Sequence, residues 1–490
     1  MSPGTGSQRS KSETHPKQAS EILQTKVGKG MVSEAKSRTH SVVSLATVLL
    51  IMCGCQGLQS SNVTSGGNGS ITSVNHIIFM AQENRSFDTY FGQLPSYWKA
   101  NGYPAQPFEG LPAGASNPSF DGSSSISAFH LATECMENLS PSWNESHQDW
   151  NRHSPTSTTP MMDGFVFNAA KFAVDNGLTD SAGIRAMGYY DDRDLNYYYF
   201  MASNFGTSDQ WFSPAMDRTQ VNRMYLLAAT SQGYAYPIAT NPSDTAPLTA
   251  PTIFDALEKA GVSWKIYQVD RSPTYLTMFQ PYAPPTPLPA NVVPIAQFFR
   301  DVQNGTLPAV AMIEGGYETG LDEHPDNHVQ QGAAYVESLI SGANGLMNSV
   351  SWKDSVFLLT YDEAGGLYDH VPPLATVNPD GIAPKDLQPG DICTAKGGSN
   401  CDFNYTGFRV PLIVISPFAK KNYVSHTPAD YTAILKFIEK RFLNGTSLTL
   451  RDAAQIDMTE FFDFEGVPWA TAPTPPVQAT NGACNAQTLR

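Results

Sequence analysis

Residues 355–366 read SVFLLTYDEAGG. An apolar run with no polar alternation needs cover on both faces, which is how strands of a parallel sheet are buried. The carboxylates Asp362 and Glu363 follow at once, at what would be the strand's carboxyl end. In open α/β sheets that rim faces the ligand crevice. The same order recurs at 76–84, where HIIFMAQ runs into Glu83-Asn84. Further strand-like runs occupy 264–268, 309–313 and 410–416, and helical patterns occupy 195–204, 221–229, 253–260, 329–340 and 431–441. This alternation predicts an α/β fold with a mostly parallel central sheet sandwiched by helices. Residues 94–165 and 372–408, rich in Pro, Gly, Ser and Asn, read as long irregular loop insertions, a length that commonly builds sites.

The chain has 490 residues, 41% hydrophobic and 15% charged, the composition of a globular protein. Its net charge is −15; residues 1–54 hold 7 basic and 3 acidic side chains, so the remainder carries −19. A body that acidic repels phosphate backbones and argues against a nucleic-acid partner.

Residues 42–52 form an apolar run of 11, too short to span a bilayer, preceded by Lys36 and Arg38. That is the layout of an export signal, with Met31 where such a signal would begin. Cys55 after Gly54 stands where a lipidated cysteine would, the one membrane contact expected. The expected location is therefore periplasmic, secreted or lipid-anchored at the cell envelope. Export also favours disulfides. Cys393 and Cys401 would close a small loop, and Cys135 with Cys484 would tie the early part to the tail, a pairing that spacing alone does not fix. The expected divisions are an extension and signal at 1–55, a flexible tether at 56–73, a single domain at 74–465 and an extended tail at 466–490.

Glu83, Asn84, Asp362 and Glu363 are hard oxygen ligands suited to one divalent cation: Mg, Ca, Mn or Zn. Singly, Asn84 reads equally well as a helix cap and Asp362 as a turn residue; together, with Gly365-Gly366 allowing close backbone approach, they favour metal. Thr219, in DRTQVNR, lies at a predicted helix start, where free N–H groups favour phosphate. Its hydroxyl would attack phosphorus if a metal lowered its pKa, although a plain helix cap explains it more simply on local sequence. Asn222 and Arg223 are candidate holders of phosphoryl oxygens. His147, His324 and His370 lie in turn-rich stretches and are candidate phosphate contacts or acids for the leaving group.

Five blocks resemble the phosphoesterase family of bacterial phosphocholine-type phospholipases C and acid phosphatase, within the alkaline phosphatase superfamily. They are residues 83–92, residues 187–223, Glu323-His324-Pro325, residues 361–373, and Phe408-Arg409-Val410-Pro411 leading to Ser416-Pro417-Phe418. The match spans roughly residues 75–445. The resemblance implies an alkaline phosphatase-like fold and metal ligation by Glu83, Asn84, Asp362 and Glu363. It also implies Thr219 as nucleophile and fifth metal contact, and His147 and His324 at the phosphoryl group. His370 fits the motif without a defined role. Asp217-Arg218 stands where the family has Gly-Pro, Val221 where it has Pro, Pro141 where it has His, and Ala364 where His is frequent. These departures bear on substrate range and phosphate contacts.

The expected activity is hydrolysis of a phosphate ester, phospholipids among the candidates, through a phosphothreonine. A Cys/Ser-x-Pro-x-Arg sulfatase motif and a Gly-x-Ser-x-Gly esterase motif are both absent from the sequence. The alternative from another class is a non-catalytic surface-binding lipoprotein that retains the fold.

Overall fold

The computed structural model describes residues 69–238, 246–394, 398 and 400–490. The expected signal, Cys55 and residues 56–68 of the tether lie outside the described residues.

The centre is an eight-stranded sheet. In chain order its strands are β1 (His76–Gln82), β2 (Gly206–Ser208), β3 (Trp264–Gln268), β4 (Val292–Pro294), β5 (Val310–Glu314), β6 (Ser355–Tyr361), β7 (Leu412–Ile415) and β8 (Tyr423–Ser425). Across the sheet they run β8-β2-β7-β6-β1-β5-β3-β4. The strands β6, β1, β5, β3 and β4 are mutually parallel, and only β7 runs against its neighbours β6 and β2. The fold is mixed α/β with a large, mostly parallel sheet.

All seven residues of β6 are buried, as are six of seven in β1. Successive side chains of a strand point to opposite faces, so burial of every residue means both faces are covered. The two strands pair in parallel with Gln82 opposite Tyr361. Glu83 and Asp362, the next residues of each, therefore leave the sheet side by side. On the other flank Ala81 pairs with Glu314, so the loop after β5 opens onto the same rim.

The predicted strands and helices sit within two or three residues of the observed ones. The insertion at 94–165 is less irregular than expected, since it holds the helices Leu94–Asn101 and Trp143–Trp150. Ser142 precedes the second of these, and its first turn carries Glu145 beside the helix's positive end.

Both expected disulfides are present, Cys135–Cys484 and Cys393–Cys401. The tail has no helix or strand and is strapped to the body. The Gln478 N–H donates to Glu337, Gly482 N–H to Gln330, and the Glu134 N–H to the Ala483 carbonyl. Cys135 and Cys484 are 349 residues apart, so this bridge removes much chain entropy from the unfolded state. The chain-entropy relation sets its contribution at no more than about 6 kcal/mol. Replacing Cys135 and Cys484 together by serine should lower the guanidinium unfolding midpoint clearly; a midpoint equal to that of the unaltered chain would show that the strap contributes nothing.

Candidate active site

Three strand ends meet at the rim, and each brings acidic groups. Glu83-Asn84 follows β1 and Asp362-Glu363 follows β6, while Asp322-Glu323-His324 lies in the loop after β5. The backbone stitches them: Asp362 N–H donates to the Gln82 carbonyl at 3.0 Å and Glu83 N–H to the Asp322 carbonyl at 2.8 Å. Asp362 Oδ1 then accepts from the N–H groups of Asn84 (3.0 Å) and Glu363 (2.8 Å). Asn84 adopts φ 59°, which turns its side chain back over the rim. Gly365, at φ 72°, passes so close that a Cβ there would lie 2.5 Å from the Asn84 carbonyl oxygen, so this turn requires glycine.

Thr219 opens the helix Thr219–Ala228, whose N-terminus has no side-chain cap. Its hydroxyl lies 3.1 Å from Glu83 Oε2 and 3.2 Å from Asn84 Oδ1. The first N–H groups of the helix have no intrahelical acceptor, leaving an anion cradle beside that hydroxyl.

Arg223, one turn along, lies inside the cluster. Its Nη2 donates to Glu83 Oε1 at 2.8 Å and to the Ala81 carbonyl at 2.9 Å, and its Nε is 3.5 Å from Asp362 Oδ2. Arg223, a candidate holder of phosphoryl oxygens, is through Nη2 and Nε a counter-ion to two carboxylates. Asn222 was expected to hold such oxygens too, but its amide spans the loop before the helix. It donates to the carbonyls of Ala215 and Asp217 and accepts from Ala215 N–H.

One guanidinium against three buried carboxylates leaves the cluster short of positive charge. Burial and then repulsion from Glu83 push Asp362 well above the usual carboxylate range; burial and then Asp362 do the same to Glu363. Burial is the largest influence on Glu83 and raises it, but Arg223 and the hydrogen bonds from Asp362 and Thr219 together outweigh burial and hold that carboxyl low. Asp362 Oδ2 and Glu363 Oε1 are buried without a hydrogen-bond partner. Orphaned carboxylate oxygens in so acidic a setting fit a hard divalent cation.

The histidines divide. His324 adjoins the cluster: its N–H donates to Asp322 Oδ1 at 3.1 Å and its Nδ1 pairs with Asp326 at 2.6 Å. His147 is 1% exposed, with its ring nitrogens facing the Trp143 and Asn400 carbonyls. That geometry leaves no ring nitrogen for a phosphoryl group. His370 Nδ1 lies 2.7 Å from Asp88 Oδ2, within a network where Arg409 binds Asp88 and Asp369 at 3.0 and 2.9 Å. Asp88, Asp369 and His370 are spaced closely enough to hold a metal, as are His130, Asp191 and Asp194, but Arg409 already fills the first cluster.

Two residues at the site, Tyr275 and Asp322, were not singled out from sequence, and Glu323 was named there only within a family block, with no role. The Tyr275 hydroxyl donates to Glu83 Oε1 at 3.2 Å. Asp322, buried, is pushed up to about 6 by burial and by Glu83. Glu323 lies beneath the rim, where its carboxylate accepts from Tyr90 (2.7 Å), Tyr198 (2.5 Å), Tyr361 (2.7 Å) and Gln82 (3.2 Å). Gln82 and Tyr361 are the residues just before Glu83 and Asp362, so Glu323 braces both strand ends and its own neighbour, His324.

With this geometry stand the relatives. The profile of the Phosphoesterase family matches residues 74–443. The chain belongs to the Phosphoesterase family. It is a hydrolase of phosphoric ester bonds. Phospholipase C B of Mycobacterium tuberculosis is 30% identical over 440 residues, covering 83% of this chain and 80% of that protein. Non-specific phospholipase C3 of Arabidopsis thaliana is 28% identical over 426 residues, covering 79% and 73%. Among solved structures, a protein of the alkaline phosphatase superfamily from Vibrio parahaemolyticus aligns at a TM-score of 0.30 and 11% identity over 75% of this chain and 78% of its own.

Replacing Glu323 by alanine strips four donors of their acceptor. Buried unpaired donors cost about 1–3 kcal/mol each, so the account expects a loss on the order of 3 kcal/mol or more in urea unfolding. A loss below about 1 kcal/mol would mean the brace is dispensable.

Proposed function

We propose that this chain is an exported, metal-dependent phosphoesterase that works through a phosphothreonine at Thr219. The observation that carries the reading is the Thr219 hydroxyl, 3.1 Å from Glu83 and 3.2 Å from Asn84 at an uncapped helix N-terminus. The orphaned oxygens of Asp362 and Glu363 support one divalent ion held by Glu83, Asn84, Asp362, Glu363 and Thr219. Such an ion, when bound, lowers the pKa of the hydroxyl and offsets charge on the phosphoryl group.

The chain's own groups then have definite tasks. The hydrogen bond to Glu83 holds the Thr219 proton on the carboxylate side and leaves an oxygen lone pair for phosphorus. The free N–H groups of the helix start receive phosphoryl oxygens as their charge grows. His324, oriented by Asp326 through Nδ1, has Nε2 available to protonate the departing alkoxide. Water then cleaves the phosphothreonine ester, releasing the phosphate product and restoring the hydroxyl. Positioning and charge carry such a reaction.

A cavity of about 240 Å³ adjoins Glu83. Its walls include Glu83, Asp270, Glu314 and Asp322 with the rings of Tyr275 and Tyr317, and no basic side chain among the described residues. Carboxylates and aromatic faces suit an organic cation. That favours a phosphodiester bearing an ammonium group, of the kind a phospholipase C cleaves, over a simple phosphomonoester.

The metal-replete protein should hydrolyse p-nitrophenylphosphorylcholine, lose that activity to a chelator, and be silent as Thr219→Ala with metal binding retained. Activity on p-nitrophenyl phosphate alone would favour an acid-phosphatase-type enzyme. Silence on both with metal bound would favour the non-catalytic alternative. Substantial turnover by Thr219→Ala would remove Thr219 as nucleophile.

A further inference from the structure

Glu83 divides its carboxylate between two tasks. Oε1 accepts from Arg223 Nη2 at 2.8 Å and from the Tyr275 hydroxyl at 3.2 Å, while Oε2 lies 3.1 Å from the Thr219 hydroxyl. The last torsion of a glutamate is soft and two-fold, so whatever holds one oxygen also aims the other. Arg223 is one hold, but its guanidinium is shared with Asp362, 3.5 Å from Nε. Tyr275 is the donor on Oε1 that serves no second carboxylate.

Tyr275 stands outside the five sequence blocks that carry the family resemblance, and it is placed by the end of β5. Glu314, the last residue of β5, is buried. Its Oε1 accepts from the Thr274 hydroxyl at 2.7 Å and the Tyr275 N–H at 3.0 Å, and its Oε2 accepts from Gln268 Nε2 at 3.2 Å. Thr274 caps the short turn Tyr275–Met278 by accepting from the Leu276 N–H, and Leu276 and Met278 are buried in the core. The Tyr275 ring lies against the Arg223 guanidinium, whose Cζ is 5.0 Å from the ring centroid, a cation–π contact. A single side chain thus touches both the rim carboxylate and its counter-ion, and a third strand end anchors it.

We infer that Tyr275 is a positioning residue for Glu83, its hydroxyl holding Oε1 so that Oε2 faces Thr219 and the divalent ion. The inference deepens the proposed function and rests on Glu83 as a metal ligand. Groups that orient the ligands of a metal typically change metal affinity or activity by about tenfold to a hundredfold when they are removed. Tyr275→Phe isolates the hydroxyl, because the ring stays against Arg223 and in the wall of the cavity beside Glu83.

The test is Mn²⁺ binding to the full chain by calorimetry, with the thermal midpoint read with and without the metal. Tyr275→Phe should weaken Mn²⁺ binding by about tenfold. The rise in midpoint that Mn²⁺ brings should shrink accordingly, since a ligand stabilises the folded chain according to its affinity. At saturating Mn²⁺ the loss on p-nitrophenylphosphorylcholine should fall on kcat and leave KM unchanged, the cavity wall being intact. A hydroxyl that only stabilises the fold would lower both midpoints alike and leave Mn²⁺ affinity equal to that of the unaltered chain. That result would overturn the inference and leave the metal site standing. A raised KM with kcat and Mn²⁺ affinity preserved would also overturn it, by making the hydroxyl a substrate contact. An unaltered chain that binds no Mn²⁺ would overturn the metal reading and this inference with it.

Discussion

The site depends on one register. Because β1 and β6 run parallel with Gln82 opposite Tyr361, Glu83-Asn84 and Asp362-Glu363 emerge as neighbours at the same edge of the sheet. A slip of one residue would turn every side chain of one strand to the other face. Both strands are buried on both sides, so such a slip would cost core packing as well as the site. Glu323 reinforces the register from below by accepting hydrogen bonds from Gln82 and Tyr361 together.

A register that gathers three carboxylates also gathers their repulsion. Arg223 offsets part of it, with Tyr275 assisting at Glu83. The rest falls on Asp362 and Glu363, raised well above ordinary carboxylates by burial first and by their neighbours second. Assembling these anions costs stability, a cost that the divalent ion of the proposed function would relieve. The Thr219 hydroxyl is placed by a different element, a helix start, so the proposed nucleophile and the carboxylates converge from separate parts of the chain.

The parts of this arrangement that are local were legible in the sequence. The runs at 76–82 and 355–361 announce buried parallel strands, and the acids that follow them announce a rim. The short strands Gly206–Ser208 and Tyr423–Ser425, at one side of the sheet, were not legible, being three residues each with no apolar run; their pairing is decided by neighbours far along the chain. The same limit applies to side-chain roles. Asn222-Arg223 could be placed near Thr219, but that Arg223 pairs with carboxylates depends on where Glu83 and Asp362 lie in space. His147 sits in a turn-rich stretch that looks accessible, yet Trp143 and Asn400 close over it. Asp322 was within reach, since it too is an acid after a strand. Its eight-residue offset from β5 hid it, and Tyr275 carried no local signal at all.

The central claim is that the rim carboxylates serve a covalent step at Thr219. It is tested most directly by acid-quenching the metal-loaded protein during turnover of a phosphate ester and mapping its peptides by mass spectrometry. The account predicts that the peptide containing Thr219 gains the mass of the transferred phosphoryl group and that the adduct is absent when substrate or metal is withheld. Steady turnover with that peptide unmodified, or with the adduct on another residue, would contradict it.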